Sequence, residues 1–208
     1  TELFSVNDPG RSRGDTLTAR ELLARGAARV NTELSGQPLL QARLMQTLGT
    51  VHQQLGMSDQ ARLLFDDALR IRTREFGTND TLVAESLHGL GDVARTKGDL
   101  KAADSLYART LTIRRAVLGP DNIDVGSTLA AIAVLRARQN RLVDAESLYY
   151  QVLTLDERLR SRDDRSYLRR RSGLATVYMR QRRYAEAESL FRQVLAVQER
   201  VLGADDYD

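Results

Sequence analysis

The glycines of one short segment match a nucleotide-binding motif in spacing alone. The stretch GLGDVA, residues 89–94, has the form GxGxxA of a dinucleotide-binding loop. Such a loop follows a β-strand, so that its glycines can turn the backbone onto a phosphate. These glycines instead lie within a helical pattern of apolar residues. We therefore predict close helix packing at this segment and no nucleotide site.

The chain is poor in residues that bind metals. His52 and His88 are the only histidines, and there is no cysteine. A zinc site needs three or four convergent ligands, and without cysteine no disulfide or thiol nucleophile can form. We predict that His52 fills the core, that His88 faces a ligand groove, and that no cofactor or metal is bound.

Three pairs of adjacent acidic residues are the remaining candidates for acid–base chemistry. They are Asp66–Asp67, Asp163–Asp164 and Asp205–Asp206. Neighbouring residues in a helix point in different directions, so such pairs do not converge on one substrate atom. No serine–histidine–aspartate set or phosphate loop accompanies them. The sequence therefore predicts a fragment without enzymatic activity.

Composition is that of a globular protein with a modest positive charge. Of 208 residues, 42% are hydrophobic and 28% are charged, and the net charge is +3. Both fractions are typical of folded domains. No apolar stretch approaches the roughly 18 residues of a membrane span, so we expect no membrane contact in this fragment.

The chain repeats itself every 42 residues. Four blocks align without a gap, at residues 39–80, 81–122, 123–164 and 165–206. Their shared columns are Leu48, Leu90, Ile132 and Leu174; Gly49, Gly91, Ala133 and Ala175; Ala61, Ala103, Ala145 and Ala187; and Phe65, Tyr107, Tyr149 and Phe191. A repeat of this length indicates stacked structural units that share one continuous core.

Each block contains two amphipathic helical patterns. In the second block, apolar residues recur every three or four positions on both sides of Gly98, with Asp99 as a helix cap and Gly119–Pro120 as a stop. The small column lets the two helices approach closely, and the aromatic column fills the adjacent space. We predict one leading helix and four helical hairpins, nine helices in all.

These columns resemble the tetratricopeptide repeat, in its 42-residue kinesin-light-chain form. The resemblance rests on Leu48–Gly49, His52, Ala61, Phe65 and Ala68. The usual closing proline is replaced by Thr73, Arg115, Glu157 and Glu199, which allows a longer second helix. The resemblance implies an all-α, right-handed α-solenoid of helix hairpins.

The beginning of the chain resembles a second group of proteins. The stretches LFSVNDP, LTARELLARGAARV and QPLLQARLMQTLGTVHQQLG resemble the region that follows the kinase domain and membrane span in bacterial serine/threonine kinases with such repeats. We expect an extended segment at 1–14 and a leading half-repeat helix at 15–38. The resemblance implies a signalling protein with this part outside the cytoplasm; otherwise the location stays open, cytoplasmic included.

In this family the first helix of each hairpin lines a binding groove. The corresponding positions are Arg43, Gln46, Thr50, Gln53, Glu85, His88, Asp92, Arg95, Ser127, Ala130, Val134, Arg138, Arg169, Ser172, Thr176 and Arg180. The family's carboxylate clamp uses lysine and asparagine, which are absent from these positions. Arginine grips carboxylates bidentately, so we expect an extended peptide with acidic and apolar residues.

A cluster of arginines at the junction of the third and fourth blocks offers an alternative. It contains Arg158, Arg160, Arg162, Arg165, Arg169, Arg170, Arg171, Arg180, Arg182 and Arg183. Nucleic acid would need such a stripe together with aromatic stacking partners. Four acidic residues lie among the arginines, so a solvated face or an acidic protein partner is favoured over nucleic acid.

The sequence therefore predicts a non-catalytic scaffold that binds a protein or peptide, as the interaction or sensor segment of a larger signalling protein. A stand-alone adaptor of kinesin-light-chain type is the first alternative, and nucleic-acid binding is the second. No polar cap is visible at Asp208, so we expect either further repeats or self-association through the ends.

Overall fold

The structure contains only α-helices in the part of the chain that it describes. The computed structural model describes residues 19–159 and 165–202. Its helices are α1 (Ala19–Glu33), α2 (Pro38–Gln54), α3 (Ser58–Phe76), α4 (Thr81–Lys97), α5 (Leu100–Leu118), α6 (Ile123–Arg138), α7 (Leu142–Leu159), α8 (Arg165–Arg180) and α9 (Tyr184–Leu202). Within these ranges the predicted nine helices and the all-α solenoid class are confirmed. The extended segment expected at 1–14 lies outside the described residues.

The chain divides into two compact units, residues 1–93 and 94–208. In the first unit, α1 packs on α2 and α2 packs on α3. In the second unit, each helix from α5 to α9 packs on the next, and α6 also contacts α8. No helix in the described part is both long enough and apolar enough to cross a membrane.

The repeated small and aromatic columns build the core between the two helices of each hairpin, with one exception. Phe65, Tyr107 and Tyr149 are buried as predicted, whereas Phe191 of α9 is 37% exposed. Ala61, Ala103 and Ala145 are fully buried and Ala187 is 2% exposed. In the first unit, the Phe65 ring lies between two glycines: a Cβ atom added to Gly49 or Gly89 would lie 2.7 Å or 2.8 Å from it. The structure thus confirms that GLGDVA serves close helix packing.

His52 occupies the core, as predicted. It is 1% exposed, and its Nδ1 lies 2.8 Å from the Leu48 carbonyl oxygen. Because a carbonyl can only accept, Nδ1 carries the proton in this contact.

The first helix of every hairpin ends in the same way. Gly56, Gly98, Asn140 and Arg182, spaced by 42 residues, have positive φ values of 74°, 83°, 62° and 63°. The N–H of the next residue then donates to a carbonyl five positions back, as in Asp99 to Ala94 (2.9 Å). This pattern of left-handed backbone and hydrogen bonding is the Schellman motif. It sets the sharp turn into the second helix.

Side-chain caps begin several helices. The Asp99 carboxylate accepts from the Ala102 N–H (3.0 Å) and starts α5, as predicted. Asp80 and Asn122, again 42 residues apart, accept from Leu82 N–H (2.7 Å) and Asp124 N–H (2.8 Å). These caps satisfy N–H groups that have no partner within their own helix.

Candidate functional site

A row of buried polar contacts runs between the layers and was not foreseen from the sequence. In the first unit, Arg72 of α3 is 3% exposed and donates to the Ser86 hydroxyl (2.8 Å) and the Leu82 carbonyl (2.8 Å) of α4. Burial lowers the pKa of Arg72, and the ion pair with Glu85 (2.9 Å) opposes this shift. The positive charge of the buried Arg72 guanidinium is thereby balanced within the first unit.

In the second unit, the same arginine–hydroxyl contact occurs once, and an ion pair takes its place at the next equivalent position. Arg114 of α5 donates to the Thr128 hydroxyl (2.8 Å) and the Asp124 carbonyl (2.9 Å) of α6. In the next layer the charges exchange sides, because Asp156 of α7 pairs with Arg170 of α8, and both are almost fully buried. The two 42-residue columns, Arg72–Arg114–Asp156 and Ser86–Thr128–Arg170, were a visible signal of this row.

This row removes one predicted groove residue from the surface of the first unit. Gln46 is 8% exposed, and its Oε1 accepts from Arg72 and from the Ser86 hydroxyl, each at 3.0 Å. A buried guanidinium needs such acceptors, so Gln46 serves the core and offers little surface to a ligand. Glu85, which pairs with Arg72, has a side chain that is 46% exposed.

The other predicted positions of the first unit reach solvent to different degrees. Arg43 and Thr50 are exposed, and Gln53 is half-buried. His88 Nε2 lies 3.6 Å from the Asp92 carboxylate, one helical turn away. No group of three or more histidine or acidic residues in the described part of the chain is arranged to hold a metal ion.

In the second unit, one face of α8 carries three exposed predicted residues, Arg169, Thr176 and Arg180. Ala130 and Val134 of α6, the helix that contacts α8, are half-buried. Ser127 and Ser172 are both half-buried, and the Ser127 hydroxyl accepts from Arg170 (3.2 Å). We call the α6 and α8 surface formed by Ala130, Val134, Arg169, Gly173 and Thr176 the α6–α8 surface.

Tyr149 of α7 packs against Gly173 of α8, beneath this surface. A Cβ atom on Gly173 would overlap the Tyr149 hydroxyl, so this glycine leaves room for the phenol, which is only 4% exposed, to pack against α8. Burial raises the pKa of Tyr149, and the positive charges of Arg95 and Arg169 oppose the shift. The hydroxyl therefore lies within the field of two guanidinium groups, and no described residue hydrogen-bonds it.

The arginines at the ends of the first helices have a structural role that the groove prediction missed. Arg138 donates to the Arg95 carbonyl (2.9 Å), and Arg180 donates to the Ala137 carbonyl (2.5 Å). Each thereby caps the last turn of the preceding first helix, whose carbonyls carry partial negative charge. The predicted groove column that contains Gln53 and Arg95 continues, at intervals of 42 residues, to Ala137 and Met179. Arg138 and Arg180 each lie one position after these residues and therefore do not belong to that column.

The arginine cluster does not form one free basic stripe. Arg170 is buried against Asp156, and Arg183 pairs with Glu146 (2.8 Å) and Glu186 (2.5 Å) while lying 4.0 Å from the centre of the Tyr178 ring. Arg171 contacts Gln193 and the Tyr167 ring. Arg160 and Arg162 lie outside the described residues.

A cavity opens on the opposite side of α8. Its volume is about 710 Å³, and we call it the α7–α9 cavity; it is lined by Tyr150, Leu153, Thr154, Glu157, Tyr167, Arg171, Leu174, Tyr178, Ala185, Glu186, Ser189, Leu190 and Gln193. Residues two apart on a helix differ in direction by about 200°. Arg171, Leu174 and Tyr178 therefore face away from Arg169 and Thr176.

Comparison with protein families identifies the repeat. The model described as tetratricopeptide repeat matches residues 40–116 and 82–158, and a second model of the same description matches residues 168–208. Together they cover more than half of the chain. No curated protein matches the sequence significantly.

Solved structures share the fold at low sequence identity. BtubC (BKLC) from P. vanneervenii is 17% identical, with a TM-score of 0.71 over 89% of this chain and 74% of its own. A Podosopora anserina protein named as a kinesin light chain, with nearly identical TPR-like repeats, is 21% identical, with a TM-score of 0.62 over 87% of this chain and 86% of its own.

The apo form of RapI is 14% identical, with a TM-score of 0.69 over 89% of this chain and 51% of its own. At these identities the likeness shows the fold alone. Together with the repeat columns, the helical hairpins and the family models, it leads to one conclusion: the chain belongs to the tetratricopeptide repeat family.

Proposed function

We propose that the chain is a non-catalytic scaffold whose α6–α8 surface binds an extended peptide containing acidic and apolar residues. Tetratricopeptide repeat proteins are generally scaffolds that bind proteins or peptides. One observation carries the proposal for this chain: α8 presents the exposed Arg169 and Thr176 on one face, and α6, which contacts α8, carries the half-buried Ala130 and Val134.

The chemistry of this surface suits a carboxylate with an apolar neighbour. Arg169 can donate two parallel hydrogen bonds to a carboxylate. Ala130 and Val134 offer small apolar contacts nearby. A stack of packed helices holds these groups at fixed spacing, which reduces the entropy lost on binding.

The test is selection from a displayed library of random peptides with the complete chain as target. We expect the selected peptides to be rich in aspartate, glutamate and apolar residues. Arg169→Glu should weaken their binding roughly 10- to 150-fold, since a charge-assisted hydrogen bond is worth roughly 1.5–3 kcal/mol. Arg109→Glu, a charge reversal at an exposed residue of α5, is the matched control and should bind as the parent does.

Equal binding by Arg169→Glu and the parent chain would contradict the proposal. So would selected peptides without acidic enrichment. Arg138 and Arg180 are poor choices for this test, because reversing their charge would also disturb two helix ends.

For the wider role, we propose an interaction segment of a larger signalling protein. The support is the resemblance of the first 60 or so residues to the region after the membrane span of bacterial serine/threonine kinases. The test is the gene sequence upstream of Thr1: an encoded kinase domain and membrane span support the proposal, and a start codon immediately upstream contradicts it. In the second case a stand-alone adaptor becomes the better interpretation.

The nucleic-acid alternative has less support, because Arg170, Arg171 and Arg183 are engaged within the protein. Binding to unrelated nucleic acids that falls steeply with salt would restore it.

A further inference from the structure

The α7–α9 cavity lies on a different face of the second unit from the α6–α8 surface. All its described lining residues belong to α7, α8 and α9 of the second unit. Its volume of about 710 Å³ lies in the range of pockets that hold small ligands or side chains. Its walls combine three tyrosines, three leucines and two carboxylates with one guanidinium.

Tyr150 stands at the mouth of this cavity in a fixed position. It is 50% exposed, yet its hydroxyl is hydrogen-bonded to the hydroxyl of the buried Tyr178. Burial raises the pKa of Tyr178, so its phenol keeps its proton at physiological pH. The exposed ring is therefore held in place before any ligand arrives, which reduces the entropic cost of binding to it.

The other two tyrosines of the cavity already carry a guanidinium. Arg183 lies 4.0 Å from the centre of the Tyr178 ring, and Arg171 lies 5.8 Å from the centre of the Tyr167 ring. Among the described residues, no cation lies over Tyr150. An aromatic face attracts a cation through its quadrupole. The exposed face of Tyr150 can therefore bind a cation from a ligand, as the rings of Tyr178 and Tyr167 bind arginines of the protein itself.

The charge around Tyr150 favours a cation over an anion. Glu157 and Glu186 line the cavity together with Arg171. Arg183, which lies over the Tyr178 ring, pairs with Glu186 and with Glu146. The three carboxylates therefore outnumber the two guanidinium groups by one. Tyr150 and Glu146 also line a second open cavity of about 760 Å³ on α7. The apolar part of the wall, Leu153, Leu174 and Leu190, suits the hydrocarbon portion of a long side chain.

We propose that the α7–α9 cavity binds an arginine side chain of a partner peptide, with its guanidinium over the Tyr150 ring and its neighbouring apolar residues against the leucines. This site is separate from the α6–α8 surface. It binds a positively charged side chain, whereas the α6–α8 surface binds acidic ones.

The test is a titration of the complete, isotope-labelled chain with a capped Leu-Arg-Leu tripeptide, followed by NMR. The matched probe replaces arginine with citrulline, which has the same shape and no charge. We expect saturable shifts in α7 and α9 with the arginine peptide and much weaker binding of the citrulline peptide. Tyr150→Leu should weaken binding roughly 2- to 30-fold, the range of a cation–π contact.

Two variants separate the role of the ring from general damage. Tyr150→Phe keeps the aromatic face and should retain most of the binding. Tyr184→Leu removes another exposed tyrosine of the same unit, which lines a different cavity, and should bind as the parent does. Equal binding of the two peptides, equal binding by Tyr150→Leu, or no saturable shift would each overturn the proposal.

Discussion

Four residues at equivalent places in successive hairpins have left-handed backbone, but only two of them are glycine. A side chain in this conformation costs roughly 1–2 kcal/mol, less for asparagine. Arg182 carries that cost at φ 63°, with a side chain that reaches solvent. We expect Arg182→Gly to raise the free energy of unfolding by about 1 kcal/mol, measured by urea denaturation.

The matched control is the opposite change two layers earlier. Gly98 has φ 83°, so Gly98→Ala should lower the free energy of unfolding by a similar amount. If Arg182→Gly destabilised the protein, the left-handed strain at this turn would be contradicted.

The packing of Phe65 between Gly49 and Gly89 gives a second prediction. A methyl group at Gly89 would come within 2.8 Å of the ring, and overpacking of this kind costs about 1–3 kcal/mol. We expect Gly89→Ala to lower the thermal unfolding midpoint. In a Phe65→Leu background the same change should cost less; equal costs in both backgrounds would mean that the ring is not the obstacle.

At the scale of elements, the buried polar row distinguishes the contact between the third and fourth hairpins from the two contacts before it. In two layers an arginine of the second helix reaches a hydroxyl of the next first helix, whereas Asp156 and Arg170 exchange the charges in the third. A helix docked one layer out of place would bring Asp156 against a hydroxyl, or two arginines together. The row therefore favours the correct order of stacking.

An exchange of residues tests this account of the row. Arg170→Ser alone leaves the Asp156 carboxylate buried without its arginine and should lower the free energy of unfolding by about 3–5 kcal/mol. Adding Asp156→Arg recreates the arginine–serine contact of the first unit, with the Ser166 carbonyl at the place of Leu82 and Asp124. The double variant should recover most of the loss, measured by urea denaturation; a double variant as unstable as the single one would contradict the account.

Much of this element structure is predictable from the 42-residue register. The register gives the helices, the buried alanine column and the cap at Asp99, because each depends on local spacing. The buried row was equally open to prediction, since its members repeat at the same interval. The apolar pattern does not indicate it, because arginine at a core position is unusual.

At the scale of the whole molecule, the surfaces were harder to predict than the fold. Gln46 is drawn into the core by Arg72, and Arg138 and Arg180 are held by carbonyls at helix ends. These are contacts between layers, which a single repeat does not show. The α7–α9 cavity is lined by residues of three helices, so the spacing of residues within one helix does not predict it.

The central claim is that peptides bind across the first helices of the second unit, and NMR mapping of a display-selected acidic peptide tests it most directly. The complete labelled chain would be titrated with the peptide and the shifts assigned to helices. We expect shifts concentrated in α6 and α8, near Val134, Arg169 and Thr176, and we expect them to be lost in Arg169→Glu but not in Arg109→Glu. Shifts confined to the outer helices α7 and α9 would contradict it.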